Sequence, residues 1–344
     1  MDVLDASDSR LANLTQWVIE DLGFDGAGIA PASVDASFRR YFRVTLGEDT
    51  YIVMDAPPDK EDSAPFLKVA RILGSMDLNV PIVLARDMER GFLLLSDLGS
   101  LQYLDALAGD GAADRLYGDA LDALRTMQTT DAPAAQNLPR YDRALLLREM
   151  ELLPEWFLQR HLGSRIAAGE RAMLDQLFDS LVRAALEQPA TFVHRDYHSR
   201  NLLVTPRNNP GILDFQDAVW GPVTYDVASL LKDCYIAWPA ARVREWVLEY
   251  REKLLAAGFD LRADSAQFMR WFDLMGLQRH IKVLGIFARL FYRDSKSQYL
   301  RDLPRVLDYV RDTAARYGET QPFADFIVRR IDPVFEDAQR RALA

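Results

Sequence analysis

The sequence predicts an α+β chain in two lobes, a small β-rich one followed by a larger, mostly helical one. At 344 residues the chain is long for a single hydrophobic core, which favours a split. Runs with β-favouring residues crowd the stretch before Gly99, whereas beyond it apolar residues recur at helical spacing. Strands followed by helices, rather than alternating with them, point to the α+β class.

Leu11, Leu14, Val18 and Leu22 fall on one helical face and Gly23 supplies a stop, so the chain opens with a helix. Residues 32–44 read as two strands joined by a turn of small and polar residues, and Gly47-Glu48-Asp49 turns the chain into Tyr51-Ile52-Val53-Met54. Ser63 and Pro65 mark the start of a helix carrying Phe66, Val69, Ala70 and Leu73. Residues 80–84 and 92–95 form a second hairpin across a turn at 87–91. Beyond Gly99, Leu116, Leu121, Leu124 and Met127 share a helical face, and residues 145–153 and 173–186 continue the pattern.

A formal charge of −10 argues against a nucleic-acid or anionic-membrane partner, which would call for a basic patch. One cysteine, Cys234, excludes an internal disulfide and any cysteine-based metal cluster. The acidic, polar MDVLDASDSR start and the lack of a long apolar run lead to the expectation of a cytoplasmic protein. Gly-x4-Gly-Lys-Ser/Thr and Gly-x-Ser-x-Gly are absent, and Gly26-Ala27-Gly28 opens no convincing helix. His194 and His198 are four apart, but their segment reads as loop, which does not suit a zinc pair.

The chemistry concentrates in residues 191–217, TFVHRDYHSRNLLVTPRNNPGILDFQD. Phe192-Val193 ends a strand, and a loop then carries His194, Asp196 and Asn201. Leu202-Leu203-Val204 and Gly211-Ile212-Leu213 form a hairpin around a dense turn signal, and Asp214 ends its second arm. An amide oxygen from Asn201 and a carboxylate from Asp214 are the ligand types that Mg²⁺ accepts beside water and phosphate. Asp196 would stand beside that metal as a proton acceptor, the arrangement phosphoryl transfer needs.

His194-x-Asp196-x4-Asn201 followed by Asp214-Phe215-Gln216 resembles the catalytic and metal loops of the protein-kinase-like superfamily, in the form used by aminoglycoside and choline phosphotransferases. The resemblance implies a two-lobed protein-kinase-like fold with an N-lobe over residues 1–98, a hinge at about 96–99 and a C-lobe over 99–344. It implies ATP and Mg²⁺ (or Mn²⁺) as cofactors, with Asp196 catalytic, Asn201 and Asp214 on the metal, and His194 and Asp226 bracing the loop. The first hairpin, through Ser37, Phe38, Arg39 and Arg40, would cover the phosphates, and Ser96, Asp97 and Leu98 would meet the adenine. The third strand departs from that pattern in having no basic residue, so either Lys60, Lys68 or an arginine of the first hairpin takes over the charge, or the triphosphate is bound less conventionally.

Three further stretches, Ser37-Phe38-Arg39-Arg40-Tyr41, residues 91–99 and residues 278–287, look like the bacterial cell-wall-recycling branch. Its members phosphorylate the C1 hydroxyl of N-acetylmuramate and N-acetylglucosamine, which makes the expected partners a small amino sugar and ATP, with no obligate protein. The lactyl carboxylate of N-acetylmuramate calls for a cation, and Arg279, Lys282, His198 and Arg200 are the candidates; Asp217 and Trp220 are further sugar contacts. An aminoglycoside phosphotransferase and a nucleotide-binding pseudokinase scaffold are the competing readings.

Overall fold

The computed structural model describes residues 8–34, 38–108 and 111–343. They divide into two compact units: the residues up to Leu101 together with Leu203–Asp217, and Gln102–Leu202 together with Ala218–Ala344.

The first unit is built on a five-stranded antiparallel sheet in the order β1-β2-β3-β5-β4, with β1 at Gly28–Val34, β2 at Arg40–Leu46, β3 at Asp49–Asp55, β4 at Val83–Asp87 and β5 at Phe92–Ser96. Helix α1, Ser9–Gln16, continues as a π-helical turn through Asp21, and Asp8 caps it by accepting from the N–H groups of Arg10 and Leu11. Its Leu14, Trp17 and Val18 pack on the face formed by Phe42, Val44, Val53, Phe92 and Leu94, the alternate positions of three neighbouring strands. The fourth strand begins at Val83 rather than at Val80, because Pro81 has no N–H for a ladder. Asp55, fully buried at the end of β3, takes Arg10 on one oxygen and Arg40 on the other (Nε to Oδ2 3.0 Å), and Arg40 also reaches Asp8.

Helix α2, Ala64–Gly74, turns Phe66 onto Phe215 in a stack with ring centroids 5.0 Å apart. The hairpin that carries Asp214 is therefore part of this unit. Asn79 secures it further: its carbonyl accepts from Ile212 N–H (2.8 Å) and its amide donates to Thr205 Oγ1 (3.2 Å).

In the second unit a helix of 28 residues, Ser265–Tyr292, runs through the core. Asp264 caps it by accepting from Gln267 N–H (2.8 Å), and every residue from Trp271 to Gly285 is buried, so the helix presents no solvated face over four turns. Helices Arg143–Met150 and Ala168–Leu186, together with the π-helical segment Leu153–His161, pack around it. Strands Ala190–Val193 and Val219–Pro222 pair antiparallel, and the loop of residues 194–201 follows the first of them.

Gly285 marks the closest approach. A Cβ placed there would sit 2.4 Å from the Leu152 carbonyl carbon and 2.5 Å from its oxygen, so only glycine lets the long helix cross the backbone that precedes the π-helical segment. Gly285→Ala should lower stability by about 1–3 kcal/mol despite alanine's better helix propensity, seen as an earlier urea midpoint with an unchanged m-value.

Candidate active site

The loop after strand Ala190–Val193 is folded by its own short-range hydrogen bonds. His198 N–H donates to the Asp196 carbonyl (3.1 Å), Asn201 N–H to the His198 carbonyl (2.9 Å), and Asn201 Nδ2 to the Asp196 carbonyl (3.0 Å). The last bond fixes which amide atom of Asn201 is the nitrogen and which the oxygen. Arg195 has φ +78°, a left-handed backbone in which side chains other than glycine are strained. Asp226 compensates: its buried carboxylate accepts from His194 N–H (2.7 Å) and Arg195 N–H (3.0 Å), holding the kink from below. His194 is fully buried, packs edge-on against Tyr197 at 5.6 Å, and accepts the Asp196 N–H on Nδ1 at 3.2 Å.

Beneath this loop lies a charge cluster. Glu149 binds the Arg195 guanidinium, the Tyr141 hydroxyl and, at 3.1 Å, Lys282 Nζ, which also lies 3.2 Å from the Tyr225 hydroxyl. Gln278 donates to Glu149 Oε2 at 3.3 Å. Arg279 is 3% exposed and reaches Cys234 Sγ at 3.4 Å. Burial pushes the Asp196 carboxyl up, but the surrounding cations, Lys282 foremost, hold it down at about 2. Burial also pushes His198 below its usual range, so at neutral pH it is uncharged and the field on Asp196 comes from Lys282, Arg195 and Arg279. Burial and the neighbouring Asp196 raise Asp226 to about 7, against the pull of its two N–H donors.

The remaining candidates are dispersed. His198 and Arg200 both lean on Tyr235, His198 edge-on at 5.4 Å and Arg200 over the ring at 3.6 Å. Trp220 is paired with Phe192 across the two-stranded ladder, with Arg140 6.0 Å above its ring, and Asp217 is exposed. In the first unit Asp214 has φ +60° and accepts from Gln216 Nε2 at 2.6 Å. Ser37 lies outside the described residues. Phe38 is exposed, with its N–H donating to Glu61 at 3.2 Å, and Arg39 is buried in an ion pair with the same carboxylate at 3.2 Å. Arg40 is held by Asp55 and Asp8. Ser96 Oγ accepts from Ile82 N–H at 2.9 Å. Asp97 accepts from Arg43 Nε (2.6 Å) and Gly99 N–H (2.9 Å), and Leu98 packs against Gly211.

Sequence reading passed over Glu149, Tyr141, Tyr235 and Glu61. For Glu149 a signal existed: it sits on the apolar face of its helix with Leu146, Met150 and Leu153, where an acidic residue demands a buried partner.

A loop carboxylate kept ionised and an amide in the helical unit, and a carboxylate in the sheet-bearing unit, are the residue types that phosphoryl transfer uses. The chain belongs to the phosphotransferase enzyme family: the family model matches residues 28–266. It is an ATP-dependent kinase. An N-acetylmuramate/N-acetylglucosamine kinase from Pseudomonas aeruginosa is 50% identical over 301 residues, covering 88% of each chain, and one from Neisseria meningitidis is 42% identical, covering 94% of this chain and 95% of the other. Among solved structures, a putative aminoglycoside phosphotransferase from Ralstonia eutropha superposes with a TM-score of 0.61 at 16% identity, covering 91% of this chain and 98% of that one. A choline kinase from Streptococcus pneumoniae superposes with a TM-score of 0.56 at 11% identity, covering 88% and 100%. These two share the protein-kinase-like fold. Among the described residues no helix is long and apolar enough to cross a membrane.

The Glu149 cluster has a pH signature. Burial raises its carboxyl, yet Lys282, Arg195 and Tyr141 bring it below the ordinary value on balance, while Glu149 and Tyr225 raise Lys282 against burial. A depressed carboxyl contributes stability above its unfolded pKa and loses it as pH falls through the folded one; a raised ammonium contributes below its unfolded pKa and loses it as pH rises through the folded one. The cluster therefore stabilises from about pH 5 to about pH 10. Glu149→Gln should cost about 3–5 kcal/mol at pH 7 and flatten the loss of stability between pH 5 and pH 3, measured by urea unfolding across pH.

Proposed function

We propose that this kinase transfers the γ-phosphoryl group of ATP to the anomeric C1 hydroxyl of N-acetylmuramate and N-acetylglucosamine, a step in the cytoplasmic recycling of peptidoglycan sugars. The observation that carries the reading is Asp196, an ionised carboxylate on a loop braced by Asp226 and set among Lys282, Arg195 and Arg279. The names carried by relatives at 42–50% identity support the choice of sugar. The same cations oppose a polycationic acceptor such as an aminoglycoside.

In this reading O1 of the sugar attacks the γ-phosphorus, the bond to the β–γ bridging oxygen breaks, ADP departs, and the O1 proton passes to Asp196. Mg²⁺, or Mn²⁺ in its place, supplies charge neutralisation on the triphosphate when bound. Asn201 and Asp214 are the residues that would hold it, and an amide oxygen with a carboxylate is a donor set that fits a hard cation. The unit carrying the five-stranded sheet takes the nucleotide, with residues 96–98 meeting the adenine through backbone groups. Arg40 and Arg43 are committed to Asp55 and Asp97, so we assign the phosphate charge to Arg39, paired with Glu61 where a third-strand lysine would pair with a helix glutamate.

Asp196→Asn should lower kcat by a factor on the order of 10² to 10⁴ while nucleotide affinity is retained, since it removes a proton acceptor. Asp214→Ala should instead weaken Mg²⁺-nucleotide binding as well as turnover; titration calorimetry beside steady-state kinetics separates the two. The site of transfer is tested by phosphorus NMR of the product. The spectrum should show an anomeric phosphate from N-acetylglucosamine and none from its 1-O-methyl glycoside, because in-line transfer needs O1 itself as nucleophile. A phosphate on C6, or use of the methyl glycoside, overturns the C1 assignment.

A further inference from the structure

The four basic residues that the sequence offered for a substrate carboxylate lie in the helical unit, and their surroundings differ. Lys282 is neutralised by Glu149. Arg279 is almost wholly buried against the Cys234 thiol. His198 sets its ring edge-on to Tyr235 at 5.4 Å, and its Nδ1 is closed off from solvent.

Arg200 is different. It is half-buried, and its guanidinium carbon lies 3.6 Å from the centroid of the Tyr235 ring, the closest cation–aromatic contact among the described residues. At that distance the planar group is in van der Waals contact with the ring, which leaves its N–H edges for something else. The two nearby carboxylates are occupied. Asp233 accepts from the N–H groups of Ser199 and Tyr235, both at 2.9 Å, and Asp302 accepts from Arg305 at 3.0 Å. Among the described residues no carboxylate stands at ion-pair distance from Arg200, although its field reaches Asp302. Tyr235 is itself held: His198 meets its edge, Phe287 lies 6.2 Å away, and its N–H is tied to Asp233.

We infer that Arg200 is the residue that distinguishes N-acetylmuramate from N-acetylglucosamine, by binding the lactyl carboxylate through its open guanidinium edge, and that Tyr235 is the positioning residue that holds that guanidinium flat. The inference rests on the amino-sugar reading above. A fork held in place gives a carboxylate two parallel charge-assisted hydrogen bonds and loses little side-chain freedom in forming them. Arg200 lies four residues beyond Asp196 on the same loop, so the cation that reads the substituent and the group that receives the proton are carried by one rigid segment.

The test is the ratio of kcat/KM for N-acetylmuramate to that for N-acetylglucosamine, with ATP, on the full chain. Arg200→Met should lower the ratio about ten- to a hundredfold, through KM for N-acetylmuramate. Arg200→Lys should restore it only in part, because an ammonium lacks the fork. Tyr235→Phe should keep the wild-type ratio and Tyr235→Leu should lower it, which a general loss of stability would not do. The carboxamide of N-acetylmuramate supplies a cycle: the wild-type enzyme should disfavour it relative to the acid, and Arg200→Met should treat the two alike. An unchanged ratio in Arg200→Met, or one that still prefers acid over amide, overturns the inference. Calorimetric binding of the two sugars to the same variants gives the ratio independently of transfer, so phosphate found on another hydroxyl would refute the C1 assignment while this measurement still decides the role of Arg200.

Discussion

The active loop depends on one buried carboxylate. Asp226 takes the N–H groups of two consecutive residues, His194 and Arg195, at the point where the chain enters a left-handed turn. A strained φ at a residue with a side chain costs on the order of 1–3 kcal/mol and persists only when its surroundings over-determine it. Here they do: Asp226 holds Arg195 by its backbone and Glu149 holds it by its guanidinium. Asp196 follows immediately, and its N–H and carbonyl are tied to His194, His198 and Asn201 on the same short segment.

The same neighbourhood answers a question of electrostatics. Lys282, Arg195 and Arg279 gather around the carboxyl groups of Glu149, Asp196 and Asp226, with Asp233 close by, so the charges of this part of the helical unit are set against one another. The cations of the set, Lys282 foremost, keep Asp196 ionised against its burial. Arg200 extends this charge toward solvent on a support of Tyr235.

In the sheet-bearing unit the arginines serve two ends. Arg10 and Arg40 converge on Asp55, and Arg43 joins Asp97 and the Gly99 carbonyl, so the strand end and the segment after β5 are each set by an ion pair. Phe215 stacked on Phe66 seats the hairpin bearing Asp214 in this unit. The continuous run 191–217 thus supplies residues to both units, which a division of the chain at residue 98 does not capture.

The sequence by itself determined the strand-rich first part, the helical remainder and the loop that carries His194, Asp196 and Asn201. Those features are local: alternation, helical spacing and hydrogen bonds spanning two to five residues depend on neighbours along the chain. Only the tertiary structure decided what surrounds Asp196. Arg279 and Lys282 read from sequence as cations at helical spacing, with nothing to say whether that face met water, because a helix buried on every side has no polar stripe to set its phase. Glu149 and Tyr235 meet the loop from helices and connections far along the chain, through pairings that no periodicity encodes. Spacing could single out Asp196; which charges hold it ionised, and which ring supports Arg200, depended on how distant segments packed.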